Sequence, residues 1–185
     1  KVFEYYGIRE SYPSSSQTHS NLLSKEAIAF FDTYSRILDS YASQIKDSIA
    51  APGIQELLKV LEQRGNFYNV LGTGNIERGA RIKLSIDNLN QFFPTGGFGD
   101  EAIERWQLIE KAIAKSSKTF GISFERNNIY VIGDTPIDIE CGKKAGVRTI
   151  GVATGTYSAE QLLQCCADYV FHDLCDINSF MRIFE

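Results

Sequence analysis

An α/β fold with a parallel sheet is what this sequence predicts, on two observations. Beyond Pro52, short apolar runs alternate with segments of helical period, and the intervals between the runs are short. Such alternation implies right-handed strand–helix–strand units whose sheet is covered by helices on both faces.

Taken in order, residues 11–20 are rich in Ser, Gln, Thr and Pro and read as an exposed loop. Residues 27–49 place Ile28, Phe31, Tyr34, Ile37, Leu38 and Tyr41 at helical spacing, so the first fifty residues read as helical. The texture changes near Ala50-Ala51-Pro52-Gly53. There Pro52 opens and Gly65 closes a helix carrying Ile54, Leu57, Leu58 and Leu61 on one face. A strand over 67–71, a helix over 76–89 and a turn-rich stretch over 93–99 follow. Residues 101–117 form the next helix, with Ile103, Trp106, Ile109 and Ile113 on one side. The remainder reads as strand 129–132, helix 137–145, strand 149–152, helix 159–166 and strand 169–171. No internal repeat is visible.

Composition narrows the function classes. The 185 residues are 43% hydrophobic and 23% charged, an ordinary globular balance. A net charge of −4 is spread along the chain, so no basic stripe exists to grip a nucleic-acid backbone. No apolar run is long enough to span a bilayer, and residues 1–7 do not read as a signal peptide because Glu4, Tyr5 and Tyr6 interrupt any apolar core. The four cysteines, Cys141, Cys165, Cys166 and Cys175, form no C-x-x-C pair. With His19 and His172 as the only histidines, they read as reduced thiols of a cytoplasmic protein rather than a zinc site. Neither histidine, nor Trp106, gives a distinct functional signal, and oligomeric state is open.

In an open α/β sheet the ligand site lies beyond the carboxyl ends of the strands. After Tyr130-Val131-Ile132 comes Gly133-Asp134-Thr135-Pro136-Ile137-Asp138, with one carboxylate at the strand tip and a second four residues on, in the first turn of a helix that Pro136 suits. Two hard oxygen donors of this kind can hold Mg²⁺ while leaving room for waters and a phosphate. The competing reading is that both merely cap the helix and complement its dipole.

The strand at 67–71 is followed by Gly72-Thr73-Gly74-Asn75. A hydroxyl and backbone N–H groups at a helix start can bind phosphate, which points to Thr73, Gly74 and Asn75. A dinucleotide fingerprint would need glycine at 77, where Glu77 stands. The alternative is an ordinary glycine-rich turn with Asn75 as helix cap. A third position, Gly96-Gly97-Phe98-Gly99-Asp100, precedes Arg105, the candidate cation for a phosphate or a carboxylate; Lys83 and Arg81 are its alternatives, and a solvated helix-face charge is the plainer reading of each.

The stretch from Val131 to Gly146, with its apolar strand, G-D-x-x-x-D and a helix ending in Ala145-Gly146, resembles the acidic fourth motif of the haloacid dehalogenase superfamily of hydrolases. Within it the phosphoglycolate phosphatase-like branch is the most similar. Thr73 resembles the second motif, and Pro52-Gly53 and Val152-Ala153-Thr154-Gly155 are also familiar; the likeness covers about residues 52–171.

The resemblance implies a Rossmann-like core over residues 50–185, a small helical cap over 1–49 and a Mg²⁺-dependent phosphatase acting on a small phosphorylated metabolite. Asp134 and Asp138 would serve at the metal, Thr73 at the phosphate, and Arg105 in place of the third-motif lysine. The resemblance also calls for an Asp-x-Asp nucleophile motif after a first strand, and the sequence has none. Phe30-Phe31-Asp32-Thr33 lacks the second aspartate and lies in a helical stretch. The expectation is therefore that roughly twenty further residues, a strand with its loops, carry the nucleophile ahead of Lys1. A native mass of 20.7 kDa would refute it. The rival expectation is a catalytically inactive relative that binds a phosphorylated ligand or a protein, and a metal-independent dehalogenase ranks below both.

Overall fold

The computed structural model describes residues 25–45, 47–48, 50–101 and 104–185. Readings that fall on residues 1–24, on the Ile28 side chain and on Ile103 lie outside the described residues.

Helix α1 (Lys25–Ala42) is followed by α2 (Ile54–Arg64), which leads into strand β1 (Leu71–Gly72). The chain continues through α3 (Glu77–Ile86), β2 (Gly96–Gly97), α4 (Arg105–Phe120), β3 (Tyr130–Gly133), α5 (Pro136–Lys144), β4 (Arg148–Val152), α6 (Ala159–Gln164), β5 (Tyr169–Phe171) and α7 (Ile177–Met181). Every strand pairing is parallel. The predicted α/β class is thus the observed one.

The strands fall into two sheets, β1–β2 and β3–β4–β5. In register, Leu71 faces Gly96, Tyr130 faces Arg148 and Ile150 faces Tyr169. Helix α2 serves both halves. Its Leu57 and Leu61 pack with Ile150, Val152, Leu174 and Phe180, while Leu58 packs with Leu71, Ala80, Leu84 and Phe98. Apolar burial of side chains this size contributes about 1.5–3 kcal/mol each.

Local chemistry explains the boundaries. Gly53 holds φ +82° where the chain enters α2, pressed against the Leu174 backbone, and Gly65 closes the helix at φ +70°. Helix α5 starts as the sequence predicts. Pro136 occupies its first turn, Thr135 accepts from the Asp138 N–H, and the Asp138 carboxylate reaches back to the Thr135 N–H.

Several expectations are corrected. Of the run expected over 67–71 only Leu71 is paired, and the strand extends one residue beyond it to Gly72, because its partner β2 is two residues long. That partner lies in what reads as a turn. Two glycines are poor strand formers, but both are buried here, and a Cβ on Gly97 would overlap the Leu108 carbonyl of α4. Helix α1 stops at Ala42 rather than 49, and α4 starts at Arg105 rather than 101. On α1 the face toward α3 is Phe31, Tyr34, Ser35 and Leu38, whereas Ile37 and Tyr41 are 54% and 65% exposed. Asn75 is not the cap of α3; Ile76 holds that position without a side-chain bond.

Candidate active site

The loops that follow β1 and β3 face one cavity of about 800 Å³, which lies between the two sheets. Its walls include Thr73, Arg105, Asp134, Asp138 and Cys141. Thr73, Arg105, Asp134 and Asp138, separated by as many as 65 positions in sequence, therefore line one cavity, at the strand ends where an α/β sheet presents its ligand site.

Thr73, 3% exposed, donates its N–H to the Gly97 carbonyl, which fixes the loop after β1. Its Oγ1 accepts from both the N–H and the side-chain amide of Asn75, each at 3.2 Å. With two bonds accepted, the hydroxyl proton is left to donate elsewhere. The Asn75 Oδ1 accepts in turn from the Lys83 ammonium at 3.3 Å. Asn75 therefore orients Thr73 rather than capping α3. Gly99 lets the chain pass close to this loop: a Cβ there would overlap the Gly74 carbonyl.

Asp134, at the tip of β3, is 7% exposed. Burial pushes its carboxyl above the ordinary range, and the neighbouring Asp138 charge pushes the same way, against a partial offset from Arg105. Gly155, in the loop after β4, leaves room for the carboxylate, since a Cβ there would overlap Asp134 Oδ2. The familiar look of Val152-Ala153-Thr154-Gly155 thus has a steric basis at the site.

Asp138 has three donors. Its Oδ2 accepts from the Thr135 N–H at 3.2 Å and hydroxyl at 2.8 Å, and its Oδ1 pairs with Arg105 at 2.9 Å. Capping the helix therefore does not prevent this carboxylate from pairing with Arg105 at the cavity. Arg105, in the first turn of α4, reaches the second carboxylate of the β3 loop, the pairing that sequence spacing alone could not show. Arg81, its alternative, bonds instead to the Phe93 carbonyl at 2.6 Å and to Glu77.

Among the described residues no group of three or more His, Cys, Asp or Glu side chains is placed to hold a metal ion. A hard cation still fits the donor set: a buried carboxylate beside a second one, with its proton affinity raised, is the electrostatic situation that a divalent cation relieves. The four cysteines are free thiols, and no helix is long and apolar enough to cross a membrane among the described residues.

A family model described as HAD-hydrolase-like matches residues 98–177, the segment that holds Arg105, Asp134 and Asp138. The D-glycero-D-manno-heptose-1,7-bisphosphate 7-phosphatase of Chlorobaculum tepidum is 39% identical over 71 residues, which is 37% of this chain. The match spans only 35% of that relative. Among solved structures, a hydrolase from Pseudomonas syringae superposes with a TM-score of 0.64 at 22% identity, over 87% of this chain and 74% of that one. A predicted phosphoglycolate phosphatase from Haemophilus somnus gives 0.62 at 19% identity, over 86% and 68%. At these identities the structural matches establish the fold. The likeness to the haloacid dehalogenase superfamily read from the motifs is borne out.

Proposed function

We propose that this chain, haloacid dehalogenase-like in fold and in its 98–177 segment, is the metal- and phosphate-binding body of a Mg²⁺-dependent phosphatase for a small phosphate monoester, of the phosphoglycolate phosphatase-like type. The observation that carries this reading is the convergence of Thr73, Arg105, Asp134 and Asp138 on one cavity wall.

Phosphoryl transfer is mainly a matter of positioning and charge stabilisation, so hydroxyl, cation and carboxylates must face one point. In this reading Thr73 donates to a phosphoryl oxygen, supported by the Gly74-Asn75 backbone. Asp134 would hold the cation, and Asp138 would support it with the lone pairs that Thr135 and Arg105 leave. Bound Mg²⁺ supplies neutralisation of charge on the phosphoryl oxygens. Arg105 keeps Asp138 oriented and sets one positive charge at the cavity wall, the place assigned to the third-motif lysine. An aspartate nucleophile, forming an aspartyl-phosphate, would come from chain outside the described strands. Residues 1–49, with α1, would form the cap that selects the substrate.

The test is phosphate release from a panel of small phosphate esters, with and without Mg²⁺, by the polypeptide that the complete gene encodes. Metal-dependent release that falls at least about a hundredfold in Asp134→Asn is expected. Full Mg²⁺-dependent activity in that variant would refute the metal assignment. Binding of Mg²⁺ or phosphate without turnover of any ester would replace the enzyme by an inactive phospho-ligand or protein-binding relative.

A further inference from the structure

We propose that Tyr34 of α1 and Lys83 of α3 are positioning residues for the phosphate loop. By donating together to Asn75 Oδ1 they fix which way that amide faces, and through it they aim the Thr73 hydroxyl proton at a bound phosphoryl group. The inference deepens the reading of Thr73 as a phosphate donor and rests on it.

The backbone of the loop is already held, which leaves the outcome to side chains. The Asn75 carbonyl accepts from the Gly99 N–H at 2.8 Å, and the Thr73 N–H donates to the Gly97 carbonyl at 3.0 Å. What stays open is the rotation of the Asn75 amide, whose oxygen and nitrogen are alike in shape and opposite in hydrogen-bonding sense.

Two neighbours decide that rotation. The Lys83 ammonium, which can only donate, lies 3.3 Å from Oδ1, and the Tyr34 hydroxyl donates to the same oxygen at 3.4 Å. Both contacts are at the long end of the hydrogen-bond range, so the sign of the Lys83 charge, more than the closeness of either bond, selects the amide's sense. A turned amide would set its NH₂ against a cation. With Oδ1 toward Lys83, Nδ2 faces Thr73 Oγ1 at 3.2 Å, where the Asn75 N–H donates as well. Both lone pairs of the hydroxyl are then engaged and its proton points outward. In the turned state Oδ1 would take that proton, and a phosphoryl oxygen would meet a lone pair instead.

Tyr34 reaches this point because α3 makes room for it. A Cβ added to Gly79 would come within 3.0 Å of Tyr34 Cε1. Gly79 and Lys83 stand four residues apart on α3 and so share a face, along which the tyrosine ring lies. Burial raises the phenol above its ordinary value, so it keeps the proton it donates. Asp32 pairs with Arg78 at 3.3 Å, a second tie between α1 and α3. Thr73 thus takes its orientation in part from a helix none of whose described residues lines the cavity.

The test is the dissociation constant of inorganic phosphate, measured by calorimetry with Mg²⁺ present on the polypeptide that the complete gene encodes. Tyr34→Phe keeps the ring over Gly79 and removes only the donor, while Lys83→Met keeps the chain length and removes the charge. Weakening of about threefold and about tenfold is expected, the cost of a lost hydrogen bond from a neutral and from a charged donor. In a Thr73→Val background each loss should shrink below about twofold, because the amide then has no hydroxyl to aim. Lys83→Arg keeps a cationic donor and should recover the affinity that Lys83→Met loses. Losses of equal size in both backgrounds would mean a structural role or direct contact with phosphate, and would overturn the proposal while the phosphatase reading stands. Unchanged affinity in both single variants would do the same. An unsubstituted protein that neither binds phosphate nor releases it from any ester overturns both.

Discussion

The buried carboxyl of Asp134 has an environment that fixes a pH dependence of stability with a definite sign. The carboxyl is raised above its ordinary value of 3.8 by burial first and by Asp138 second. The folded protein thus holds this proton more tightly than the unfolded chain does. The stability it contributes is fully present below 3.8 and is lost as pH rises through the folded value. With metal removed by a chelator, the urea midpoint should therefore fall across that window, and Asp134→Asn should lack this component. A variant with the same descending profile would show that another group is responsible. Asp168 behaves oppositely: burial opposes its ionisation, but the Thr149 hydroxyl and N–H, each 2.7 Å from Oδ2, outweigh burial and lower its value. Its contribution is present above 3.8 and lost as pH falls through the lowered value, a window separate from that of Asp134.

The same Asp168 ties the start of β5 to β4, and this is an interaction between elements rather than a local one. Thr149 is fully buried, and the Asp168 N–H returns a bond to Thr149 at 3.2 Å. Asp168→Ala strands two donors in the core, so a loss of about 1–3 kcal/mol is expected by chemical denaturation. A loss below half a kcal/mol would mean that water replaces the carboxylate. The elements themselves were legible to the extent that their period was long or their caps explicit. Helix α5 is announced by Thr135-Pro136 and Asp138, and β5 falls where an apolar triplet places it. Strand β2 was illegible because it is made of glycine, chosen not for strand propensity but for the room that the Leu108 carbonyl of α4 demands. The exposed Ile37 and Tyr41 of α1 show the converse error: an apolar residue at helical spacing marks a face that can pack, not one that does.

At the scale of the molecule, the site's residues were legible because strand tips are where an α/β sheet presents them, whereas their pairing was not. Arg105 and Asp138 are 33 positions apart, and only the packing of α4 beside α5 brings them to 2.9 Å. The division into two sheets was equally hidden, since no local signal marks a ladder that is missing. Helix α2 is one link between the halves, with α4 another, and adjacent residues on α2 serve different halves: Leu57 packs with Ile150 and Val152, Leu58 with Leu71 and Ala80. Truncating either buried leucine removes about 2–5 kcal/mol. The distribution of that loss is the informative quantity. Leu58→Ala should accelerate amide exchange more in β1 and α3 than in β4, and Leu57→Ala should do the reverse. If both variants accelerate both halves equally, the sheets open as one cooperative unit, and the link between them is stronger than the leucines of α2 alone can account for.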